Sequence, residues 1–177
     1  MVSSSKKSDP FTILGVDPGL DRTGYAVIET VCGRVLDAGL IRSSPQVSLA
    51  KRLGEINNGI REVLSDHAVR VVAVEDLYAH YKHPRTAILM GHARGVVLLA
   101  AAQRGIEVLS LPATRIKKSL TGNGHAGKIQ VQRAVMATLK LKAMPEPADV
   151  ADALAVALCA SLARESDVSS MVVMDKR

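Results

Sequence analysis

Four acidic residues of this 177-residue sequence are spaced so that their carboxylates could act together. Asp17 and Glu75 each end a short apolar run of the kind that forms a buried strand. Asp149 and Asp152 lie three residues apart in an alanine-rich segment, so a helix would place both on one face. Polar side chains at strand ends gather at one edge of an open sheet. We therefore expect the four carboxylates to converge on one pocket.

Clustered carboxylates predict a site for divalent cations, because like charges held close together are unfavourable unless a cation neutralises them. A ligand set made only of carboxylates suits Mg²⁺ or Mn²⁺ and does not suit zinc. Two such ions, roughly 4 Å apart, can activate water and stabilise the leaving oxygen when a phosphodiester is cleaved. Each acid also has an ordinary structural explanation: Asp17 could be a turn residue, Glu75 could pair with an arginine, and Asp149 could cap a helix.

The segment after Glu75 combines aromatic and basic side chains. Two of the four aromatic residues of the chain, Tyr78 and Tyr81, lie here with two histidines, Lys82 and Arg85. Exposed aromatics between cations suit stacking on unpaired bases and contacts with phosphates, although a tyrosine could also pack the loop against the protein body. We expect this segment to bind nucleic acid, with Tyr78 and Arg85 as contact residues.

A second basic cluster surrounds a glycine-rich stretch. Surface lysines are commonly only solvated, but nearness to a glycine-rich loop favours contacts with phosphates. A lysine beside a metal site could also stabilise charge that develops in a transition state. The predicted phosphate-contacting residues of this cluster are Arg115, Lys117, Lys118 and Lys128.

Two motif matches point to nucleotide binding and are disfavoured. The stretch from Gly122 to Lys128 fits GxGxxG and part of a phosphate-binding loop, but Ile129 stands where that loop needs Ser or Thr. No clear strand leads into this stretch either. The segment from Asp17 to Gly24 resembles the first phosphate loop of actin-like sugar kinases, which duplicate their fold and are far longer. No organic cofactor is therefore predicted.

Composition favours a compact intracellular protein with a polyanionic partner. The net charge is +6 and the pI about 9.5, which suits nucleic acid. The two cysteines, Cys32 and Cys159, form no CxxC pair, which argues against a disulfide scaffold or zinc site and fits a reducing compartment. The polar lead has no apolar core of a secretory signal, and no run is long enough to span a membrane. We expect a cytoplasmic protein without a membrane partner.

Hydrophobic periodicity predicts an α/β fold with a mixed five-stranded sheet flanked by helices. The chain is predicted to comprise a disordered lead (1–10), one domain (11–165) and a flexible tail (166–177). Strands are predicted at 11–17, 24–30, 35–42, 69–75 and 106–111. Helices are predicted at 48–66, 86–104, 114–121, 127–141 and 148–164.

Several segments, taken together and in order, resemble the RuvC family of Holliday-junction resolvases. The resemblance covers about residues 13–164, nearly the whole chain, and although each segment is weak alone the combination is highly specific. Its segments are Ile13–Gly19 with Thr23–Tyr25, Val74–Glu75, Gly91–Val96 and Ala148–Ala155.

This resemblance implies an RNase H-like fold and symmetric nicking of four-way DNA junctions by a two-fold dimer in recombination and repair. It implies that the four acids are the catalytic carboxylates and the ligands of two Mg²⁺ or Mn²⁺ ions. Tyr78 falls where the family has an aromatic residue, often Phe, that stacks at the junction centre. Lys117 and Lys128 match basic residues near the scissile phosphate, and Lys118 is adjacent. A branch-migration helicase complex is the implied partner.

Two other functions stay open at this point. The chain could be a related nuclease that acts on RNA or another structured nucleic acid, or a junction-binding protein without activity. The presence of all four acids weighs against the second of these. The apolar helix predicted at 86–104 is a candidate dimer interface, but it could also only cover the sheet.

Overall fold

The first three strands form the antiparallel half of a five-stranded sheet, and the last two extend it in parallel. The structure, a computed structural model, describes residues 10–30, 32–77 and 84–174, except the side chains of residues 84 and 165–174. Its strands are β1 (Thr12–Asp17), β2 (Arg22–Glu29), β3 (Arg34–Arg42), β4 (Val69–Glu75) and β5 (Glu107–Leu111). Its helices are α1 (Leu49–Asp66), α2 (Pro84–Ala102), α3 (Ala113–Thr121), α4 (Lys128–Thr138) and α5 (Ala148–Met174).

The predicted mixed sheet with flanking helices is confirmed. The strand order is β3-β2-β1-β4-β5, and β4 and β5 run parallel to β1. Because successive strand residues point to opposite faces, Leu14, Val16 and Val72 pack under α1 and α2. Ile13 and Val71 pack on the other face, under α3, α4 and α5. Two aliphatic cores therefore sandwich the sheet.

Some helix ends differ from the predicted ones. Helix α5 continues past Arg164 to Met174, so residues 166–174, predicted as a flexible tail, are helical. No glycine or proline follows Pro147, so no strong helix breaker stops it. Helix α4 ends at Thr138, close to Lys140 with its positive φ of 53°. The predicted disordered lead lies outside the described residues apart from Pro10, and the division into lead, domain and tail stays a prediction.

Helix α5 lies unusually close to the centre of the sheet. A Cβ atom added to Gly15 would fall well inside van der Waals contact with the Ala153 carbonyl oxygen, and one on Gly24 would do the same with that of Asp149. Only glycine on the strands, facing small side chains such as Ala157 on the helix, permits this approach. The start of α5 is thereby held against the end of β1.

Within residues 10–30, 32–77 and 84–174, no helix combines the length and apolar character needed to cross a membrane.

Candidate active site

The sheet brings Asp17 and Glu75 together at one edge. Strands β1 and β4 are parallel neighbours in which Val16 pairs with Val74, and each acid is the next residue along its strand. Side-chain alternation directs both acids to the face covered by α5, since Ile13 and Ala73 pack there. The predicted convergence of these two carboxylates therefore follows from strand register alone.

Helix α5 adds the other two carboxylates. Asp149 lies in its first turn and Asp152 one turn later on the same side. Gly24, the β2 partner of Asp17, lies directly against the Asp149 backbone. The turn between β1 and β2 is closed by Thr23, whose fully buried hydroxyl donates to the Gly19 carbonyl at 2.8 Å. All four predicted acids thus surround the carboxyl end of β1.

Burial and neighbouring negative charges raise the pKa values of Asp17 and Glu75. Burial raises the pKa of Asp17 from its ordinary 3.8 to about 7, and the charges of Asp152, Glu75 and Asp149 add to this rise. Burial and the Asp152 charge also raise the pKa of Glu75, although Lys117 opposes the rise. A carboxyl that resists ionisation beside three others marks a pocket with surplus negative charge.

Two cations lie against the acids of α5. The Lys128 Nζ atom donates to Asp152 Oδ2 at 2.8 Å, and this bond raises the pKa of Lys128 above its ordinary value. On the other side, Arg22 Nε lies 3.5 Å from Asp149 Oδ2. The acids of α5 are therefore partly neutralised, whereas Asp17 and Glu75 have no such contact among the described residues.

Two cavities open onto the carboxylates. The larger has a volume of about 230 Å³, and Glu75, Lys117, Lys128 and Asp152 line its polar side. The smaller, of about 50 Å³, lies between Asp17, Glu75 and Met90. Because both cavities share Glu75, an incoming group could contact a lysine and a carboxylate at once.

The donor set suits a hard divalent cation, but its arrangement is not yet that of a ligand shell. In the described part of the chain, no three His, Cys, Asp or Glu side chains stand together as a ready metal site. Asp152 is turned to Lys128 and Asp149 to Arg22. The chemistry nevertheless fits, because carboxylate oxygens are the ligands that Mg²⁺ prefers and the raised pKa of Asp17 reports uncompensated charge.

The predicted basic residues divide into two groups. Lys117 and Lys128 line the larger cavity, whereas Lys118 is exposed and outside it. Arg115 is exposed on α3. Burial raises the pKa of the Cys159 thiol, and a hydrogen bond with Ser119 and the charge of Arg115 partly offset this rise. Arg85 is exposed in the first turn of α2. Tyr78 lies outside the described residues.

Two arginines at the site were missed from sequence. The Arg94 side chain donates to the Glu75 backbone carbonyl at 3.2 Å, to Asp76 Oδ1 at 2.9 Å and to Ser110 Oγ at 2.7 Å. It therefore fixes the ends of β4 and β5, and it pairs with Asp76 instead of the Glu75 carboxylate. The sequence signal for Arg94 was an arginine in the apolar middle of a helix. Arg22 gave no signal beyond its place just after the turn.

Comparisons with known proteins agree with this geometry. The family model "Crossover junction endodeoxyribonuclease RuvC" matches residues 13–160. A protein of that name from Rhodopirellula baltica is 51% identical over 160 residues, covering 89% of this chain and 90% of its own length. One from Pelotomaculum thermopropionicum is 43% identical and covers 83% and 90%.

Solved structures are also similar. Thermus thermophilus RuvC superposes with a TM-score of 0.81 at 34% identity, over 88% of this chain and 97% of that one. The same protein in complex with Holliday junction substrate gives a TM-score of 0.80 at 34% identity, over 88% and 96%. The yeast mitochondrial Holliday junction resolvase, at 11% identity and a TM-score of 0.57, shares the fold alone.

Proposed function

The chain belongs to the RuvC family of crossover junction endodeoxyribonucleases and has its RNase H-like fold, and we propose that it resolves four-way DNA junctions by paired symmetric nicks. The substrate is proposed from the T. thermophilus relative, which was solved with a Holliday junction. The catalytic residues that we propose are Asp17, Glu75, Asp149 and Asp152.

One observation supports this assignment most strongly. Three chain elements place four carboxylates around a single strand end, where burial and mutual repulsion raise the pKa of Asp17 to about 7. Such crowding does not stabilise a fold, and carboxyls perturbed in this way are typical of functional sites. A divalent cation would remove the repulsion and make the site usable at neutral pH.

The four carboxylates would hold the metal, which we propose to be two Mg²⁺ ions, with Mn²⁺ as an alternative. When bound, the metal supplies a water of lowered pKa and stabilises charge on the phosphate oxygens. Glu75 and Asp17 form no ion pair among the described residues. They are therefore the acids best placed to accept a proton or to coordinate a metal ion.

The lysines of the larger cavity would act on the DNA. Lys117 and Lys128 line the same cavity as Glu75, so a phosphate there would lie within reach of both cations and the carboxylates. Preorganised positive charge beside a phosphate stabilises the negative charge that develops during cleavage. We propose that Arg85, Arg115 and Lys118 contact phosphates farther from the cut, and that Tyr78 stacks on bases at the junction centre.

Helix α2 is the proposed dimer interface. Ile88 and Leu99 on this helix are 62% and 54% exposed, and a Cβ added to Gly95 between them would meet open space among the described residues. An apolar face with a small residue at its centre allows a second copy to pack closely. A two-fold dimer would present two sites to a two-fold junction. The branch-migration complex stays a proposal from the family resemblance alone.

The cellular location is proposed from chemistry. Cys32 and Cys159 are both free thiols, which suits a reducing compartment. Together with a DNA substrate, this supports the cytoplasm as the proposed place of action.

Replacing Glu75 by Gln tests the catalytic assignment. We expect the nicking rate to fall by at least about a thousandfold, because a ligand and a negative charge are lost at the centre of the cavity. Junction affinity without metal should be retained or rise slightly, since the basic surface is intact and one negative charge is removed. The matched control is Glu62→Gln on α1, far from the cavity. Retained nicking by the Glu75 variant would exclude this carboxylate from the active site.

A further inference from the structure

A third cavity adjoins the small cavity beside Asp17. It has a volume of about 380 Å³, shares Met90 with the small cavity beside Asp17, and is lined by Arg22, Thr86 and Asp149. Each cavity thus shares a lining residue with the next, Glu75 or Met90, and the row of three is here called the carboxylate cleft. Lys117 and Lys128 stand at one end of this cleft and Arg22 at the other.

Arg22 is poorly satisfied within the protein. Its Nε atom lies 3.5 Å from Asp149 Oδ2, and the arginine side chain is 52% exposed. Among the described residues, no hydrogen bond engages its guanidinium group. A half-exposed ion pair at this distance contributes little to stability, so within the described part of the chain the N–H donors of Arg22 are left without hydrogen-bond partners.

The third cavity is also lined by Arg52, which is bonded within the protein. The Arg52 side chain is only 13% exposed, and it forms an ion pair with Asp21 and donates to Ser43 Oγ at 2.9 Å. These bonds fix the turn between β1 and β2 to α1. Arg52 is therefore a structural residue, whereas Arg22 retains its binding capacity.

Arg22 also has a like-charged neighbour on the adjacent strand. Arg22 pairs directly with Arg42 of β3, and both are exposed. Directly paired residues of antiparallel strands share a face, and like charges in such a pair are unfavourable. At the far end of β2 the corresponding pair is Glu29 with Arg34, whose side chains are joined at 3.1 Å. Apart from Asp149, whose carboxylate lies 3.5 Å from Arg22 Nε, no described acid forms an ion pair with either arginine, so a bound anion would offset the repulsion there.

We propose that Arg22 binds a backbone phosphate of the strand being cut, at the end of the carboxylate cleft opposite Lys128. The cut strand would then cross the four carboxylates with one phosphate held at each end. A guanidinium group binds phosphate through two parallel N–H donors. Arg42 would add positive charge behind this contact. The inference rests on the proposed junction-cleaving function and adds a phosphate subsite to it.

Junction binding without metal tests the subsite, with Arg22→Ala compared with Arg34→Ala. Arg34 is the matched control, because it is an exposed arginine on the same pair of strands at the opposite end. We expect Arg22→Ala to weaken junction affinity on the order of tenfold and to reduce the slope of log affinity against log salt by about 1. Arg34→Ala should change neither quantity. Arg22→Lys should keep the salt slope and recover part of the affinity.

Uncharged phosphate analogues in the DNA would locate the phosphate that Arg22 contacts. Methylphosphonates placed singly on either side of the cut should each weaken binding by wild-type protein, and at one position the difference between wild type and Arg22→Ala should vanish. A methylphosphonate at another position should likewise abolish the difference between wild type and Lys128→Ala. The two positions should lie on opposite sides of the cut.

Two outcomes would overturn the inference in distinguishable ways. Equal salt slopes for Arg22→Ala, Arg34→Ala and wild type would show that Arg22 is only a counter-ion of Asp149. A wild-type protein that does not prefer a junction to linear duplex would instead contradict the proposed function on which the inference rests. Circular dichroism and thermal unfolding of each variant would exclude a folding defect, and Arg22→Gln provides a second neutral replacement.

Discussion

Replacing Asp17 by Asn should stabilise the metal-free protein while it abolishes cleavage. The Asp17 carboxyl is partly buried among three other acids, and its pKa is raised to about 7. Above that pH the folded protein must hold a charge that the unfolded chain would carry in water without penalty. Asparagine keeps the shape of the side chain and removes the charge, so the penalty should disappear.

The size of the effect follows from the raised pKa. A change from 3.8 to about 7 corresponds to at most about 4 kcal/mol, at about 1.4 kcal/mol per pKa unit. Because the carboxyl retains contact with solvent at the strand end, we expect about 1–3 kcal/mol. The folded state binds this proton more tightly than the unfolded chain does. The contribution of Asp17 to the free energy of unfolding of wild type therefore falls as the pH rises from about 4 to about 7, and is constant above that range.

Urea unfolding in EDTA at a series of pH values measures this contribution. The free energy of unfolding of Asp17→Asn minus that of wild type should be near zero at about pH 4 and reach its full positive value at about pH 8. Added Mg²⁺ should stabilise wild type more than the variant, since only wild type has the complete carboxylate set. A variant that is no more stable than wild type at the higher pH would refute the conclusion that burial and neighbouring acids disfavour a charge on Asp17.

Three further substitutions test how the site is positioned. Gly24→Ala should destabilise the fold by about 1–3 kcal/mol and lower the nicking rate about a hundredfold, because the added methyl group collides with the Asp149 backbone; a stable, fully active variant would contradict this packing. Lys128→Ala should slow nicking about a hundredfold and Lys118→Ala far less, as measured by single-turnover rates. Equal losses would show that a lysine lining the larger cavity matters no more than one outside it. Arg94→Lys should lower kcat more than junction affinity, because one ammonium group cannot replace contacts to Glu75, Asp76 and Ser110; an unchanged kcat would limit Arg94 to packing.

Much of the sheet and of the acid cluster could be predicted from local pattern. The apolar runs before Asp17 and Glu75 are strands, and alternation along β1 and β4 places both acids on the face covered by α5. The spacing of Asp149 and Asp152 fixes a common helix face. These features depend on periods of two and about three and a half residues, which a single sequence displays directly.

Contacts between distant elements could not be predicted in the same way. The pairing of Arg22 with Asp149 arises because Gly24 lets α5 approach β2, and neither residue indicates that approach in sequence. Arg94 lies in a segment that the family resemblance used, but its bonds to the ends of β4 and β5 depend on how α2 crosses the sheet. The length of α5 was underestimated because polar residues near Ser166 resembled a tail, although no residue there breaks a helix.

The central claim is that the four carboxylates and a bound metal cleave a four-way junction. The most direct measurement is a nicking assay on a synthetic junction labelled in turn on each strand, with linear duplex and an RNA hairpin as comparison substrates, in Mg²⁺, Mn²⁺ or EDTA. Paired nicks at symmetric positions in two opposing strands of the junction, only with metal, are the predicted result. Binding without cleavage in any metal, or faster cleavage of the RNA hairpin, would contradict the account.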